Sequence, residues 1–335
     1  MKTVVVGCGN VSASHFAALK DLPDAEVIAT VDIKKDRADA KAEPFGAKAY
    51  YDFDEMLENE KPDCVHIATP HYLHTPMAIK ALRAGANVFL EKPCSVSAEQ
   101  VDELYKAQLE SGKQLGVCFQ NRYNESSLKA KELIDSGEYG KVLSARAFVT
   151  WNRGKDYYSD DWHGTKDKEC GGVLINQAIH TLDLVQFLCG GIVRVTAHIA
   201  NDHLKGVIEV EDTAVLRMEG KDGLTAVMYA TTAYGGNADV FIELRLEKAV
   251  LRIEGEKLYK IYPDGEVEVL IRKNDEAFVG RHYWGHGHNA IIKDFYDCLK
   301  TGRKFGIDAL EGGKAARLVA ASYKSSSENI TVEVN

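Results

Sequence analysis

The sequence lacks the features that mark several broad classes of protein. Lys and Arg total 41 and Asp and Glu total 50 in 335 residues, so the formal net charge is −9, whereas nucleic-acid binding requires clustered positive charge. No apolar run approaches the roughly 20 residues that span a membrane. The apolar stretch at the N-terminus ends at Gly7 and is too short for the core of a signal peptide. We therefore expect a cytoplasmic protein that binds neither nucleic acid nor a membrane.

The cysteines form no recognisable framework. The 7 cysteines are scattered, odd in number and never spaced C-x-x-C. This distribution argues against a zinc site or a disulfide framework and favours a reducing compartment, so we expect no metal. Internal repeats, coiled-coil heptads and low-complexity tracts are absent as well.

The first third of the chain alternates between strand and helix patterns. Apolar strands are predicted at Lys2–Val6, Glu26–Val31, Cys64–Ala68, Val88–Leu90 and Gln114–Phe119, with helical segments at Ser14–Lys20, Met77–Ala84 and Ala98–Ser111. Such alternation is typical of a doubly wound parallel sheet. A chain of 335 residues is long enough for two domains, and we place the first, an α/β domain, at residues 1–120.

A glycine-rich turn follows the first strand. Gly7-Cys8-Gly9-Asn10-Val11-Ser12 is close to the pattern G-x-G-x-x-G/A, in which the first glycine permits a tight turn and the second lets the backbone approach a pyrophosphate. The helix that starts nearby would direct its N–H groups at the phosphates. The third position is Ser12 rather than glycine. A glycine turn without a ligand is the alternative reading.

An acidic residue ends the second strand. Asp32 lies roughly 20 residues beyond the glycines, where the motif places a carboxylate on the adenosine ribose. A carboxylate there accepts from the 2′-hydroxyl and repels a 2′-phosphate, so NAD is favoured over NADP. Lys34 and Lys35 follow closely, which leaves dual use open, and a helix N-cap is the alternative role for Asp32.

The strand at Val88–Leu90 ends in Glu91, Lys92 and Pro93. Ligands of open α/β sheets bind outside the carboxyl ends of the strands, so Glu91 and Lys92 should emerge where a ligand lies. Pro93 has no N–H and therefore takes the chain out of the sheet. Read alone, the segment is equally compatible with a solvated surface turn.

Together these segments resemble the Gfo/Idh/MocA oxidoreductase family, which includes glucose–fructose oxidoreductase and inositol dehydrogenase. The matching pieces are Gly7-Cys8-Gly9, Thr69-Pro70 with Leu73-His74, Ala81-Leu82-x-Ala84-Gly85, and Glu91-Lys92-Pro93. The resemblance implies that Lys92 belongs to the active site beside the nicotinamide. The expected cofactor-binding set is Gly7, Gly9, Asn10, Val11, Asp32, Ile33, Thr69, Pro70, His74, Glu91, Lys92 and Asn121.

The remainder of the chain has a different pattern. From Val142 to Ile261 many strands follow one another, several joined by tight turns such as Lys221-Asp222-Gly223. Consecutive strands without intervening helices suggest an antiparallel sheet, and a helix at Ile307–Ser327 ends the chain. We predict an α+β domain over residues 121–335 with a large, mainly antiparallel open sheet.

A second segment with candidate chemistry interrupts these strands. Gly171 to Asp183 reads as a helix in which Asn176, His180 and Asp183 share one face. A core helix with a hydrogen-bonded histidine is the alternative. The segment resembles the family's second signature, Gly-Gly-x-Leu-x-(Asp/Asn)-x-x-x-His-x-x-Asp, which implies that His180 is the catalytic base.

Asn176 departs from the aspartate of inositol dehydrogenase-like members, and it cannot take up a proton. The Asn-Gln-x-Ile-His form is similar to the branch that acts on nucleotide sugars and glycosides. The expected substrate-binding set is Lys92, Arg122, Trp162, His163, Asn176 and His180. Tyr157, Tyr158, Trp151 and Tyr283 are candidates for stacking on a sugar, and His286 and His288 read as a loop or helix start rather than metal ligands.

The expected activity is the oxidation of a secondary alcohol by NAD. His180 takes the hydroxyl proton, Lys92 donates to the same oxygen, and Asn176 orients the substrate or the imidazole. The resemblance implies a sugar, glycoside or polyol, with pyranose C3 slightly favoured over inositol, and a homodimer or homotetramer. An inositol dehydrogenase, an NAD-dependent glycosidase that oxidises transiently, and a non-catalytic dinucleotide-sensing regulator are the alternatives.

Overall fold

The computed structural model describes residues 1–272 and 287–334. The chain forms two compact units. The first comprises residues 1–120 together with the described part of Phe278–Gly313, and the second comprises the described part of Asn121–Ala277 with residues 314–334. The division into domains at residue 120 stays a prediction, because a compact unit is not by itself an independently folding domain.

The first unit contains a six-stranded parallel sheet with the order β3-β2-β1-β4-β5-β6. Its strands are β1 (Lys2–Val6), β2 (Glu26–Val31), β3 (Lys48–Tyr50), β4 (Cys64–Ile67), β5 (Asn87–Leu90) and β6 (Leu115–Val117). This is the doubly wound order, which reverses direction between β1 and β4 and places a ligand crevice at their carboxyl ends. The predicted α/β fold is confirmed.

Five helices connect these strands. They are α1 (Ser12–Lys20), α2 (Lys35–Ala42), α3 (Phe53–Glu60), α4 (His74–Arg83) and α5 (Ala98–Ser111). The sequence analysis missed α2, α3 and the short strand β3. In α2 only Ala38 and Ala42 are buried, so the helix has no broad apolar stripe from which its period could be recognised.

The second unit contains a nine-stranded sheet with the order β14-β13-β12-β11-β7-β10-β9-β8-β15. Its strands are β7 (Val142–Thr150), β8 (Ile192–Ala200), β9 (Thr213–Gly220), β10 (Thr225–Thr231), β11 (Phe241–Leu246), β12 (Val250–Glu254), β13 (Lys257–Ile261), β14 (Val267–Ile271) and β15 (Val332–Glu333). Among the described strands of this second sheet, β7 and β10 form the one parallel pair. The expected large, mainly antiparallel sheet is confirmed.

Four helices complete the described chain. They are α6 (Glu125–Asp135), α7 (Ile179–Cys189), α8 (Gly287–Thr301) and α9 (Ala309–Glu328). Strand residues alternate between buried and exposed, as in the run from Ala145 to Val149, and α6 and α7 pack on the buried face. No helix in the described ranges has the length and apolar character needed to cross a lipid bilayer.

The predicted helix from Gly171 to Asp183 is wrong in its first half, because the helix begins at Ile179. The buried carboxylate of Glu211 accepts from the backbone N–H groups of Gly172 at 2.9 Å and Leu174 at 3.0 Å. The carbonyl oxygen of Glu211 also accepts from the N–H of Val173. These bonds satisfy the backbone without a helix, so residues 171–178 form turns and Asn176 lies outside the helix that carries His180.

Candidate active site

The glycine turn after β1 lies at the predicted crevice. Gly7 has φ of +87°, and a Cβ there would lie 2.6 Å from the carbonyl carbon of Ala68, which follows β4. The turn therefore requires glycine for its backbone angle and for the approach of β4. A Cβ at Gly9 would meet no heavy atom of the described residues within 4 Å, so this position has the space that a pyrophosphate needs.

Ser12, which stands at the third glycine position of the pattern, has a structural role of its own. Its hydroxyl is buried and donates to the carbonyl oxygen of Gly9 at 2.6 Å, so the serine ties the turn to the first residue of α1. Among the described residues, no side chain caps the start of α1 at Val11. The uncapped N–H groups and the positive end of the helix dipole favour an anion at this end.

Asp32 links the end of β2 to the glycine turn. Its Oδ2 accepts from the N–H of Cys8 at 2.9 Å and its Oδ1 from the N–H of Lys34 at 2.8 Å. Each carboxylate oxygen has a further lone pair, so these bonds leave acceptor capacity for a ribose hydroxyl. The neighbouring Ile33 is 83% exposed. Asp32 as a ribose ligand and Asn10 and Ile33 as cofactor contacts stay predictions.

His74 connects the segments that follow β4 and β5. Its Nε2 lies 2.7 Å from the carbonyl oxygen of Thr69, and its Nδ1 lies 2.7 Å from that of Pro93. Burial lowers the pKa of His74, and the two carbonyl oxygens, which favour the protonated ring, offset part of that. The contacts hold the backbone beside Thr69 and Pro70, and a direct cofactor contact by these three residues stays a prediction.

Lys92 follows β5 as a half-buried side chain between buried Glu91 and Pro93. Glu91 accepts from His15 on α1, with 2.9 Å between Oε1 and Nε2. Nδ1 of His15 lies 2.9 Å from Nδ1 of His66 on β4, and His66 Nε2 lies 3.0 Å from the hydroxyl of Tyr296. A continuous buried network therefore runs through the first unit to the carboxylate next to Lys92.

The network holds a negative charge at Glu91. Burial alone would raise the pKa of Glu91, but the hydrogen bond and charge of His15, with His288 and Lys92, outweigh it and hold that pKa well below its usual range. Burial and the nearby His15 keep the pKa of His66 well below its ordinary value. Burial likewise lowers the pKa of His288 to about 4. Glu91 is thus ionised, whereas His66 and His288 favour the neutral state.

His15, Glu91 and Cys118 also bring three potential metal-ligating atoms within 4.8 Å of one another. Burial, together with the charge of Glu91, raises the pKa of the Cys118 thiol well above its ordinary value. A metal binds the thiolate, and this environment disfavours it. The cluster is better explained as a hydrogen-bonded network, and the absence of a metal stays a prediction.

In the second unit, His180 lies in the first turn of α7. It is half-buried, whereas residues 171–179 and 181–186 are buried, so His180 is the most accessible residue of this segment, although its Nδ1 is buried. Asn176, three residues before α7, donates from Nδ2 to Glu169 at 2.6 Å and to the hydroxyl of Tyr157 at 3.2 Å. The structure therefore surrounds Asn176 with polar partners that the predicted helix did not include.

Aromatic rings lie beside this segment. The ring centroids of Trp162 and His163 are 3.8 Å apart and those of Tyr157 and His163 are 4.4 Å apart. Nδ1 of His163 lies 2.6 Å from Oδ2 of Asp160. The cluster unites Trp162 and His163, which were predicted to contact substrate, with Tyr157, a candidate sugar-stacking residue.

Two other predicted residues have structural partners. Nε and Nη2 of Arg122 donate to the carboxylate of Asp183 at 2.7 and 2.6 Å, and both side chains are buried. This bidentate pair fixes α7 against the segment after β6. Asn121 is buried, and its Oδ1 has no hydrogen-bond partner among the described residues, so it could accept from a bound cofactor. The substrate role of Arg122 and the cofactor role of Asn121 stay predictions.

Some sequence-based candidates take other positions. Trp151 is buried and donates from Nε1 to the carbonyl oxygen of Ala238 at 3.0 Å, which is a packing role. His288 lies buried in the first turn of α8, a helix that the sequence analysis left open. Tyr283 and His286 lie outside the described residues.

The sequence analysis missed buried polar residues in both units, namely His15 and His66 beside Glu91, and Glu169 and Glu211 beside the segment before α7. A histidine in the otherwise apolar strand Cys64–Ile67 was the available signal, because a buried imidazole needs a hydrogen-bond partner. Its partners come from distant parts of the chain, which spacing alone could not identify.

Comparison with known proteins agrees with this architecture. Residues 1–119 match the model of the oxidoreductase family with an NAD-binding Rossmann fold. Residues 127–252 match the GFO/IDH/MocA C-terminal domain.

Three relatives illustrate the likeness. The structure of the WlbA dehydrogenase from Bordetella pertussis in complex with NADH and UDP-GlcNAcA is 28% identical, with a TM-score of 0.87 over 100% of this chain and 98% of that chain. Myo-inositol 2-dehydrogenase from Thermotoga maritima is 25% identical over 100% of this chain and 98% of its own. D-glucoside 3-dehydrogenase from Escherichia coli is 25% identical over 100% of this chain and 97% of its own.

The named relatives are thus sugar and polyol dehydrogenases, one of them with NADH bound. Both family models match in chain order, and together they include the glycine turn, Glu91-Lys92-Pro93 and the segment with His180. The chain belongs to the GFO/IDH/MocA family of oxidoreductases.

Proposed function

We propose that the protein is an NAD-dependent dehydrogenase that oxidises a secondary alcohol of a sugar, glycoside or polyol. The observation that carries the proposal is the turn between β1 and α1, where Gly7 must be glycine and Gly9 is open to a ligand. That turn lies at the reversal of a doubly wound sheet, where dinucleotides bind. Half-buried Lys92 follows β5 of the same sheet.

The residues fit an NAD molecule. Gly7, Gly9, Asn10 and Val11 would hold the pyrophosphate at the start of α1, and Asp32 with Ile33 would meet the adenosine ribose. Thr69, Pro70, His74, Glu91 and Asn121 complete the proposed cofactor set. NAD supplies an acceptor for the hydride of the alcohol. The carboxylate of Asp32 favours NAD because it would repel the 2′-phosphate of NADP.

The chain's own residues manage the hydroxyl group. We assign His180 as the base that accepts the hydroxyl proton, since an imidazole titrates near neutral pH and this ring remains accessible beside buried neighbours. Lys92 donates a hydrogen bond to the developing alkoxide. Asn176 holds the substrate in place. Arg122, Trp162 and His163 complete the proposed substrate set.

One feature of the structure favours a sugar or glycoside over inositol. Tyr157, Trp162 and His163 form an aromatic cluster next to Asn176, and aromatic faces pack against the apolar faces of pyranose rings. Among the relatives named above, a D-glucoside 3-dehydrogenase and a dehydrogenase bound to UDP-GlcNAcA agree with this preference, but a myo-inositol 2-dehydrogenase aligns equally well, so the aromatic cluster carries the preference. We therefore propose oxidation at C3 of a pyranose.

The test is a panel of sugars, glycosides, nucleotide sugars and polyols with NAD and with NADP, followed by absorbance at 340 nm. We expect a glycoside to give NADH in proportion to the ketone formed, with NAD preferred. Turnover of inositols alone would contradict the pyranose assignment. Product formation without net NADH would instead indicate the transient oxidation of a glycosidase, and dinucleotide binding without turnover would indicate a regulator.

We also propose that two copies associate through the exposed face of the nine-stranded sheet. Phe148, Val215 and Val227 are exposed on this face. In the register, Phe148 lies opposite Tyr229 and Tyr229 opposite Val215, so these side chains form one apolar patch. Such a patch rimmed by charged residues is typical of a protein interface. All seven cysteines are thiols, and we propose a cytoplasmic location in keeping with the reducing compartment expected from the sequence.

Light scattering after gel filtration tests the association. We expect the mass of a dimer or tetramer for the wild type and of a monomer for Val227→Asp. Leu109→Asp, which places the same charge at an exposed position of α5, is the matched control and should leave the mass unchanged. A Val227→Asp protein with the wild-type mass would place the interface elsewhere.

A further inference from the structure

Asn176 lies against a buried carboxylate that has no part in the proposed mechanism so far. Glu169 is fully buried, and its Oε1 accepts from Nδ2 of Asn176 at 2.6 Å. Its Oε2 accepts from the backbone N–H of Gly164. The hydroxyl of Tyr157 lies 3.2 Å from the same Nδ2.

The carboxylate determines which way the Asn176 amide faces. A carboxylate with a donor at each oxygen acts only as an acceptor. The opposite orientation of the amide would place Oδ1 of Asn176 against Oε1 of Glu169, and two acceptors repel each other. With Nδ2 directed at Glu169 and Tyr157, the other end of the Asn176 amide is Oδ1, which can only accept.

We propose that Glu169 is a positioning residue that fixes Asn176 as a hydrogen-bond acceptor for a substrate hydroxyl and that excludes aspartate from position 176. The proposal rests on the proposed dehydrogenase function. Aspartate at position 176 would place two buried carboxylates at hydrogen-bonding distance, and one of them would have to hold a proton.

Exchanging the carboxylate of Glu169 and the amide of Asn176 tests whether Glu169 positions Asn176 through their hydrogen bond or only packs against it. In Glu169→Gln, the glutamine nitrogen can pair with Asn176 only if the Asn176 amide turns over and presents Nδ2 instead of Oδ1. If the amide does not turn over, one of the two donors, Gly164 N–H or Asn176 Nδ2, loses its partner. Asn176→Asp creates the carboxylate pair. In the double variant, the glutamine oxygen accepts from Gly164 and the glutamine nitrogen donates to the aspartate. Every pairing is then restored, and position 176 still presents an acceptor to the substrate.

The experiment measures kcat and KM for a glycoside that the wild type oxidises, and KM for NAD, from about pH 6 to about pH 9. A buried pair of carboxyl groups, as in Asn176→Asp, takes up its shared proton at a raised pKa, which this range can include. We expect each single variant to lose about 10- to 100-fold in kcat/KM for the glycoside, as a buried unpaired polar group costs, with KM for NAD unchanged. The Asn176→Asp variant should recover towards acid pH, where the carboxylate pair takes up its proton. The double variant should return to within about fivefold of the wild type.

Glu209→Gln, which removes an exposed carboxylate whose Oε2 accepts from the N–H of Lys166, is the control and should behave as the wild type. The proposal is overturned if Asn176→Asp keeps wild-type kcat/KM at every pH, or if the double variant is no better than the poorer single variant. Should a single variant fail to fold, a double variant that folds and oxidises the glycoside supports the pairing, and one that also fails overturns it. A wild type that oxidises no sugar counts against the proposed function. In that case the pairing of residues 169 and 176 is tested by a double-mutant cycle, in which the free energy of unfolding is measured for the wild type, both single variants and the double variant.

Discussion

The two glycines of the turn after β1 give a matched pair of substitutions with opposite expected effects. Alanine at Gly7 must adopt φ of +87° with its Cβ 2.6 Å from the carbonyl carbon of Ala68. The left-handed backbone costs an L-residue about 1–2 kcal/mol, and the forced separation of β1 and β4 costs about 1–3 kcal/mol more. Gly7→Ala should therefore lower the free energy of unfolding by about 2–5 kcal/mol, a large share of the about 5–15 kcal/mol of a typical domain.

Alanine at Gly9 should behave differently. A Cβ there meets no heavy atom of the described residues within 4 Å, and Gly9 is not among the glycines with positive φ. Stability should remain unchanged or rise by about 0.4–1 kcal/mol, because alanine restricts the unfolded chain. The methyl group would occupy the space proposed for the pyrophosphate, so affinity for NADH should fall by about 1–3 kcal/mol, or about 5- to 150-fold.

Urea unfolding followed by circular dichroism and fluorescence titration with NADH measure the two effects separately. A Gly9→Ala protein that binds NADH as tightly as the wild type would show that this turn does not hold the pyrophosphate. A Gly7→Ala protein with wild-type stability would refute the steric argument at Ala68. Loss of binding by Gly9→Ala together with a large loss of stability would show that the open space beside Gly9 is needed for folding rather than for a ligand.

Three further predictions follow from the site. Lys92→Ala and His180→Ala should each lower kcat by about two to three powers of ten while NADH titration shows unchanged binding, and wild-type rates from either variant would refute its assigned role. Asp32→Ser should raise kcat/KM for NADP relative to NAD, because the carboxylate that repels a 2′-phosphate is gone; an unchanged ratio would assign Asp32 only to holding the turn through Cys8. The folded-state pKa of His288 is about 4 against 6.5 for the ordinary group, so its contribution to stability is complete above pH 6.5 and is lost as the pH falls towards 4. The free energy of unfolding, measured by urea melts at several pH values, should fall by up to about 3 kcal/mol over that range, and it should fall less in His288→Gln. His288 faces Glu91, His15 and Lys92. If the free energy of unfolding depends on pH equally in both proteins, His288 is not the responsible group.

The local patterns of the sequence predicted most of the fold. Glycine spacing, apolar runs and the acidic end of β2 depend on neighbours in the chain, and they indicated the doubly wound sheet and its crevice correctly. The helix predicted from Gly171 failed for a reason that no local pattern contains. Glu211, some forty residues later, supplies the carboxylate and carbonyl oxygen that keep residues 171–178 in turns.

The candidate site residues also fall into two groups, those that local sequence patterns predicted and those that only the folded contacts reveal. Lys92, Asn176 and His180 could be identified because their motifs are contiguous in sequence. Glu169 lies only seven residues from Asn176, yet its importance depends on a turn geometry that the helix prediction excluded. His15 and His66 are separated from Glu91 and from each other by long stretches of chain, so only the packing of α1 on the sheet brings them together.

Both units use a buried carboxylate to hold the backbone next to an accessible ionisable side chain. Glu91 accepts from His15 and lies 3.3 Å from the backbone nitrogen of Lys92, and Glu211 holds Gly172 and Leu174 a few residues before His180. The pKa of Glu91 is held well below its usual range, so Glu91 is a charged acceptor, which binds an N–H about twice as strongly as a neutral one. Burial raises the pKa of Glu211, and its hydrogen bonds from Leu174, Tyr323 and Gly172 offset part of that rise. In each unit, the cost of burying the carboxylate is thus offset by hydrogen bonds that hold the neighbouring backbone in one geometry. On this reasoning, the position of Lys92 depends on Glu91, and that of the segment before His180 depends on Glu211.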